Sequence, residues 1–510
     1  MPHVITQSCC SDASCTYACP VNCIQPTPDD PDFLTAEMLC VDPTTCVDCG
    51  ACVSACPVEA IKPERALTEA EIPFLEINRL YHVRRAQAGV VDRPLLARPP
   101  ARLQVRASAP PPSVAVVGSG PAGLYAADEI LTVPGARVTV FERLSEPYGL
   151  ARFGVAPDHR RTRRISTQFA QIRRSRGLSF ELGVDVGTDV TRDELLGRFD
   201  AVIYAVGAAA DRPLTLPGAD LLGVSSATRL VAFYNGHPDA GDATFDLSGP
   251  RAVVIGNGNV GLDVARILTT EPDRLAETDI APAALAALAA SELEEVIVTS
   301  RRGPEAAAFT LPELLGLASA PGVELCLDPD VDVAGTKLEW LERLPAAVRA
   351  GRRRVRLRFG LTPERFLAGP EGGPHLGAVV FSTPDGVTET VPARLALTSI
   401  GYRAVPVPGL PFDPESHTVP HAAGRVIDPT TGAPLPGTYV TGWIKRGPSG
   451  FLGTNRSDAQ ETVRSLIEDH NAGRLGGRQP GGSTGVPVAP NGDNRERAPM
   501  SAPVRSSRHA

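Results

Sequence analysis

The stretch Val114–Gly123, reading VAVVGSGPAG, constrains this chain more than any other. A valine-rich run with β preference enters Gly118-Ser119-Gly120-Pro121-Ala122-Gly123, and a helix-compatible segment, Leu124–Leu131, leaves it. Strand, glycine turn and helix in that order make a dinucleotide-binding turn. Gly118 serves the tight bend, Gly120 the close approach of backbone to a pyrophosphate, and Gly123 the packing of helix on strand. The helix N-terminus adds free N–H groups and the positive end of its dipole. A second strand, Arg137–Glu142, ends in an acid about 20 residues on, where a ribose hydroxyl is bound.

The pattern occurs twice. Arg251–Ile255 enters Gly256-Asn257-Gly258-Asn259-Val260-Gly261, again strand to turn to helix. The following strand, Glu295–Ser300, ends in Arg301-Arg302 rather than in an acid. A guanidinium pair suits a 2′-phosphate through charge-assisted, bidentate hydrogen bonds, so this turn is expected to take NADP rather than NAD. With 510 residues, 43% of them apolar, the chain has room for about three domains. The net charge of −8 does not suggest a nucleic-acid protein. No apolar run approaches the length of a membrane helix, the longest being Ala281–Ala290. The start, MPHVITQS, lacks the basic and apolar regions of a secretion signal, so a cytoplasmic location is expected.

Ten of the eleven cysteines lie between Cys9 and Cys56, which in a cytoplasmic chain argues for metal ligation over disulfides. Cys46, Cys49, Cys52 and Cys56, followed by Pro57, form the C-x2-C-x2-C-x3-C-P run of an iron–sulfur site. Zinc would call for pairs of close ligands split by a longer loop. A second copy, aligned on Cys19-Pro20, puts Cys9, Asp12, Cys15 and Cys19 in the same slots, with Asp12 in place of a cysteine. Cys10, Cys23 and Cys40 fit no slot, although Cys10 is a weaker rival to Cys9.

This first unit, residues 1–62, is similar to the two-cluster bacterial ferredoxins, which implies a small α+β fold and crossed ligation. By that resemblance Cys19, Cys46, Cys49 and Cys52 hold a [4Fe-4S] cluster, and Cys9, Cys15 and Cys56 hold the other. Three thiolates support a [3Fe-4S] centre, or a [4Fe-4S] centre whose fourth iron takes the harder Asp12 carboxylate. Asp12 is otherwise a solvated loop acid. The unit is acidic at Asp29, Asp30, Asp32, Glu37, Asp42, Asp48 and Glu59, which serves either docking or solubility. Residues 63–112 read as a linker, in which Glu71–Val83 packs as a short segment. Arg93–Pro112, rich in Pro, Ala and Arg, reads as an extended spacer.

Pro147-Tyr148-Gly149-Leu150, continuing to Pro157-Asp158-His159, makes the resemblance of the main body specific. From Val114 to about Ile467 it resembles the adrenodoxin-reductase-like ferredoxin–NADP reductases. The resemblance implies an FAD domain in two parts, 113–210 and 395–470, with an NADP domain, 211–394, inserted between them. The α/β fold would thus hold two Rossmann-like domains behind the ferredoxin. The resemblance also implies FAD contacts from Ala122, Glu142, Leu150, Val186, Trp443, Gly450, Phe451 and Leu452, and an NADP contact from Glu313. His159, beside Asp158, is either a residue that manages a proton near the flavin or a structural histidine. Seven arginines between Arg160 and Arg176 are either a docking face for an acidic ferredoxin or a solvated helix face. The basic stretch Arg352–Arg358 reads as surface. The tail, 471–510, is too poor in large apolar residues to order itself.

The expected activity is NADPH–ferredoxin oxidoreduction, with FAD passing single electrons to the clusters of the fused or a separate ferredoxin, or the reverse. A cytochrome P450 is a further candidate partner. Two alternatives are the electron-input subunit of a glutamate-synthase-like complex and, without turnover, a redox sensor or electron store.

Overall fold

The computed structural model describes residues 2–89, 97, 99, 101–241, 243–344, 351–369 and 373–476. Its cysteine-bearing unit is built from two copies of one loop–helix motif. The short helices Ser14–Ala18 and Ala51–Ala55 are each entered through a left-handed residue, Ala13 (φ 62°) and Gly50 (φ 74°), and each closes on an extended cysteine, Cys19 and Cys56. Further left-handed residues recur in register at Ser11 and Asp48, and at Asn22 and Glu59. Even the sulfur contacts repeat: the Cys23 N–H donates to Cys19 Sγ and the Ala60 N–H to Cys56 Sγ, both at 3.3 Å. Two antiparallel pairs close the unit, His3–Ile5 with Ile61–Pro63 and Ile24–Gln25 with Cys40–Val41.

This unit extends beyond residue 62. The helix Pro73–Gln87, expected to lie in a linker, packs on those strands through buried Asn78. The Asn78 amide oxygen accepts from the N–H groups of Ile5 (3.2 Å) and Val41 (2.8 Å), and its NH₂ donates to the carbonyls of Ile5 and Phe74. One polar side chain thereby satisfies backbone groups from two strands that would otherwise be buried unpaired. The described part of the spacer, 101–112, runs beside the helix Thr454–Asn471, where Asn471 bonds to the backbone of Gln104 and Arg106. Asn471 closes that helix instead of opening a disordered tail. Residues 477–510 of the expected tail, and 90–96, 98 and 100 of the expected linker, lie outside the described residues.

A seven-stranded sheet follows the order His421–Ala422, Arg425–Ile427, Pro434–Val440, Ala201–Tyr204, Ser113–Val117, Arg137–Glu142, Leu178–Leu182. From Pro434–Val440 onward its pairings are parallel. A second, six-stranded sheet is parallel throughout, in the order Val224–Ser226, Leu395–Thr398, Arg251–Ile255, Glu295–Thr299, Gly351–Arg358, Gly322–Leu327. Leu395–Thr398, expected to begin the return to the first domain, therefore belongs to the second sheet, where Leu395 and Leu397 are buried. The two chain crossings between the sheets run side by side, Ala210–Asp211 pairing with Tyr402–Arg403. The basic stretch is surface only in part: Gly351–Arg358 is an interior strand of the sheet with Val355 and Leu357 buried and Arg354 exposed. Its alternate arginines are neutralised: Arg356 pairs with Glu295 and Asp328, and Arg358 with Asp328 and Glu389.

Candidate redox site

At the first turn, Gly118 has φ +100°, and a Cβ there would lie 2.6 Å from the Ala205 carbonyl oxygen. A Cβ on Gly123 would lie 2.0 Å from the Gly118 carbonyl oxygen, while one on Gly120 would meet nothing within 4 Å. Two glycines are thus required by backbone packing, and the third leaves space beside the N-terminus of the helix Pro121–Leu131. Such an opening fits a pyrophosphate. Glu142, at the end of the next strand, is buried, and its carboxylate accepts from the Ser119 N–H (2.9 Å), the Ser119 hydroxyl (2.6 Å) and the Leu144 N–H (3.0 Å). Gly149 lies over the turn, its added Cβ falling 3.1 Å from Gly120 Cα. Leu150 follows at the start of the helix Leu150–Phe153, and Val186 is buried.

The second turn repeats this geometry. Gly256 has φ +115° and an added Cβ 2.3 Å from the Ser399 carbonyl oxygen, Gly261 would clash with Gly256 at 2.4 Å, and Gly258 is open. Asn257 and Asn259 accept from the N–H groups of Ala308 and Thr310, tying the turn to the segment before the helix Leu311–Ala318. Val260 lies in the first turn of the helix Asn259–Thr269. Arg301 and Arg302 follow the strand Glu295–Thr299, both exposed.

The loop after Pro434–Val440 carries Trp443, whose indole N–H donates to the Ser449 carbonyl (3.1 Å) and whose ring lies 5.5 Å from that of Tyr402. Gly450 has φ +81°, and Phe451 and Leu452 are half-buried beside it.

His159 and Glu313, singled out for different reasons, meet in one charged cluster with Asp158, the neighbour of His159, and with two residues the sequence reading missed, Asp263 and Arg266. His159 Nε2 lies 3.4 Å from Asp263 and 3.6 Å from Glu313. Arg266, only 3% exposed, pairs with Asp158 (2.7 Å), Asp263 (2.8 Å) and Glu313 (3.7 Å). Burial pushes the Asp158 carboxyl up, but the Arg266 guanidinium more than reverses this and holds it at about 2. Burial raises Glu313 above the usual carboxylate range, and His159 and Arg266 only partly offset it. Three of these groups, His159, Asp263 and Glu313, have potential ligand atoms within 4.8 Å of one another. Arg266 brings one positive charge to three carboxylates, and burial favours the protonated form of Glu313, so the cluster fits shared protons. The signal that could have revealed it is an arginine three residues after Asp263, inside an otherwise apolar helical run.

The cysteines line two separate cavities. Cys9, Cys10, Asp12, Cys15 and Cys56 face one; Cys19, Cys23, Cys46, Cys49 and Cys52 face the other. Each fourth-slot cysteine thus joins the opposite triplet, which fits crossed ligation of two clusters. Cys23, assigned no slot, lies with its sulfur 3.4 Å from that of Cys19. Asp12 is not a solvated loop acid. It is 7% exposed, and its carboxylate accepts from the Ser14 N–H (3.2 Å) and hydroxyl (2.5 Å) and faces Arg456 at 3.5 Å. The Arg160–Arg176 cluster divides. Arg161 and Arg164 reach Glu71 and Glu59 of the cysteine-bearing unit, while Arg160 and Arg163 pair with Glu277 and Asp279. Of the acidic residues, Glu37 and Glu59 touch the body that carries the two large sheets, whereas Asp30 and Asp32 pair with Arg85 of their own unit.

Residues 112–276 match the pyridine nucleotide-disulphide oxidoreductase family, and residues 39–62 match the 4Fe-4S binding domain. The chain is 52% identical over 495 residues to a protein of Mycobacterium tuberculosis named as a probable ferredoxin/ferredoxin–NADP reductase, covering 93% of this chain and 85% of that one. It is 39% identical over 407 residues to the mitochondrial NADPH:adrenodoxin oxidoreductase of Bos taurus, covering 72% and 81%. Among solved structures, Mycobacterium tuberculosis FprA in complex with NADPH superposes with a TM-score of 0.64 at 42% identity, covering 71% of this chain and 85% of that one.

Proposed function

Because the chain belongs to the ferredoxin/ferredoxin–NADP reductase family and is an NADPH–ferredoxin oxidoreductase using FAD, NADP and a 4Fe-4S domain, we propose a division of labour among its own residues. The first turn, with Gly118, Gly120, Ala122, Gly123 and Glu142, holds FAD, and the loop bearing Trp443, Gly450, Phe451 and Leu452 covers the reacting end together with Leu150 and Val186. The second turn, Gly256–Val260, holds NADPH, and Arg301 and Arg302 select its 2′-phosphate. FAD, when bound, supplies the conversion between hydride transfer and one-electron transfer. The chain's part is to orient the nicotinamide, exclude water and hold protons in the cluster of His159 and Glu313.

Cys19, Cys46, Cys49 and Cys52 hold the [4Fe-4S] cluster. The second cluster is of the [3Fe-4S] type on Cys9, Cys15 and Cys56, a reading supported by the engagement of Asp12 with Ser14 and Arg456. One observation carries the intramolecular route: the cysteine-bearing unit is seated on both nucleotide-binding halves. Arg161–Glu71 (3.3 Å) and Arg164–Glu59 join it to the first half, and Lys337–Glu37 (2.5 Å) to the second. A separate ferredoxin or a cytochrome P450 then receives the electrons. No helix among the described residues is long and apolar enough to cross a membrane, and the reading places the protein in the cytoplasm.

An anaerobic absorbance titration with NADPH, run in parallel with NADH, tests this. NADPH bleaches the flavin bands at far lower concentration, and the cluster absorbance then falls. Equal response to NADH removes the role given to Arg301 and Arg302; flavin bleaching alone removes the intramolecular route.

A further inference from the structure

The two cysteine-lined sites are near-copies in backbone, yet they face different surroundings. The site of Cys9, Asp12, Cys15 and Cys56 is pressed against the reductase. Gly453, directly after the Gly450–Leu452 loop, donates its N–H to the Cys10 carbonyl at 2.7 Å. A Cβ on Gly453 would fall 2.1 Å from the Asp12 nitrogen and 2.2 Å from the Ser11 carbonyl carbon, so only glycine permits this approach. One turn along the helix Thr454–Asn471, Arg456 donates to the Ser14 hydroxyl (2.8 Å) and faces the Asp12 carboxylate. The other site is turned outward. Cys49 is exposed, Val47 beside it is 59% exposed, and Thr44 and Thr45 continue the open edge.

We propose that the two sites act in series: the Cys9–Asp12–Cys15–Cys56 site is the entry point from the reductase, positioned by Arg456, and the Cys19–Cys46–Cys49–Cys52 site is the exit offered to a one-electron partner protein. A single hydrogen bond separates the Gly450–Gly453 loop from the peptide next to Cys9, whereas no described ion pair or hydrogen bond joins Val47 or Cys49 to the reductase. Oxidation of one NADPH to NADP⁺ yields two electrons and one proton. The proton passes to solvent, and the electrons leave one at a time, each reducing the entry cluster by one electron and then the exit cluster as the entry cluster is reoxidised. The proposal rests on the oxidoreductase reading above.

The test is EPR of the full-length, cluster-loaded protein reduced either by NADPH or by dithionite, comparing Cys15→Ser with Cys52→Ser. In Cys15→Ser, dithionite still reduces the exit cluster, while NADPH reduces it at least about tenfold more slowly than in wild type. In Cys52→Ser, NADPH reduces the entry cluster at the wild-type rate, but electrons no longer reach added cytochrome c. Wild-type NADPH reduction of the exit cluster in Cys15→Ser overturns the proposal. Arg456→Gln serves if the ligand variants do not fold. It changes the line shape and midpoint potential of the entry cluster and leaves those of the exit cluster as they are, with Arg456→Lys closer to wild type. A change confined to the exit cluster, or none in either, again overturns the proposal. Failure of NADPH to bleach the flavin in the wild type overturns the oxidoreductase reading itself, whereas normal bleaching with the wrong cluster order overturns only the series.

Discussion

The two glycine turns have nearly the same backbone but open onto different chemistry. In both, the first glycine is held at positive φ beneath a neighbouring strand's carbonyl, the last packs against the first, and the middle one borders open space. Beyond the second strand they part. Glu142 is buried and bound by Ser119, whereas Arg301 and Arg302 stand exposed. The helices part as well: Pro121–Leu131 buries mostly apolar side chains, while Asn259–Thr269 buries Arg266 among three acids. Backbone geometry therefore makes the place for a pyrophosphate, and the groups around it decide which nucleotide enters and what its neighbourhood can do with a proton.

The largest expected effect separates the turns by cofactor. Gly123→Val puts a branched side chain where even a Cβ comes within 2.0 Å of the Gly118 carbonyl oxygen, so purified protein is expected to lack flavin absorbance. Gly261→Val, with the corresponding distance of 2.4 Å, should retain flavin and lose NADPH binding. If both variants lose flavin, the turns do not serve separate nucleotides. Next comes the charged helix. Arg266→Leu leaves Asp158 and Asp263 without their buried counter-charge, which costs about 3–5 kcal/mol and lowers the midpoint of denaturant unfolding. An unchanged midpoint would mean that the cluster is solvated. Third, Arg301→Ala should weaken NADPH binding by about 1.5–3 kcal/mol, roughly 10- to 160-fold in Kd, the range for a charge-assisted hydrogen bond. NADH binding should not change, and calorimetry with both nucleotides reads the difference.

Much of this was legible in the sequence because it is written in local patterns. The glycine spacing, the C-x2-C-x2-C-x3-C-P run and the arginine pair each act over a few residues, and the structure places each in the element expected of it. What was missed depends on partners far along the chain. Asn78 looked like a linker residue because its four bonds go to backbone at Ile5, Val41 and Phe74. Leu395–Thr398 was placed in the wrong sheet because a buried parallel strand reads the same in either. The arginines of Gly351–Arg358 read as surface because Glu295, Asp328 and Glu389 lie in other strands and loops. A solvated Asp12 fits the sequence because the packing of Gly453 and Arg456 over it comes from the far end of the chain.

The smallest effect tests two acids that flank the second turn's helix against each other, since Asp158 and Glu313 share Arg266 but depart from their ordinary values in opposite directions. Asp158 is held at about 2, below its unfolded value of 3.8, so its contribution is complete above that unfolded value and is lost as pH falls through about 2. Glu313 is raised above 4.5, so the folded chain keeps a proton that the unfolded chain has released, and stability falls as pH rises from 4.5 through the folded value. Glu313→Gln should remove that fall, so its melting temperature gains on wild type as pH rises across this window. His159 faces the same carboxylate at 3.6 Å, with Asp263 and Arg266 beside it, and it favours the charged form of Glu313 when itself protonated. His159→Gln should therefore steepen the fall that Glu313→Gln abolishes. Parallel melting curves for wild type and Glu313→Gln would show that Glu313 titrates as it does in the unfolded chain, and the second turn would then differ from the first in nucleotide preference but not in proton handling.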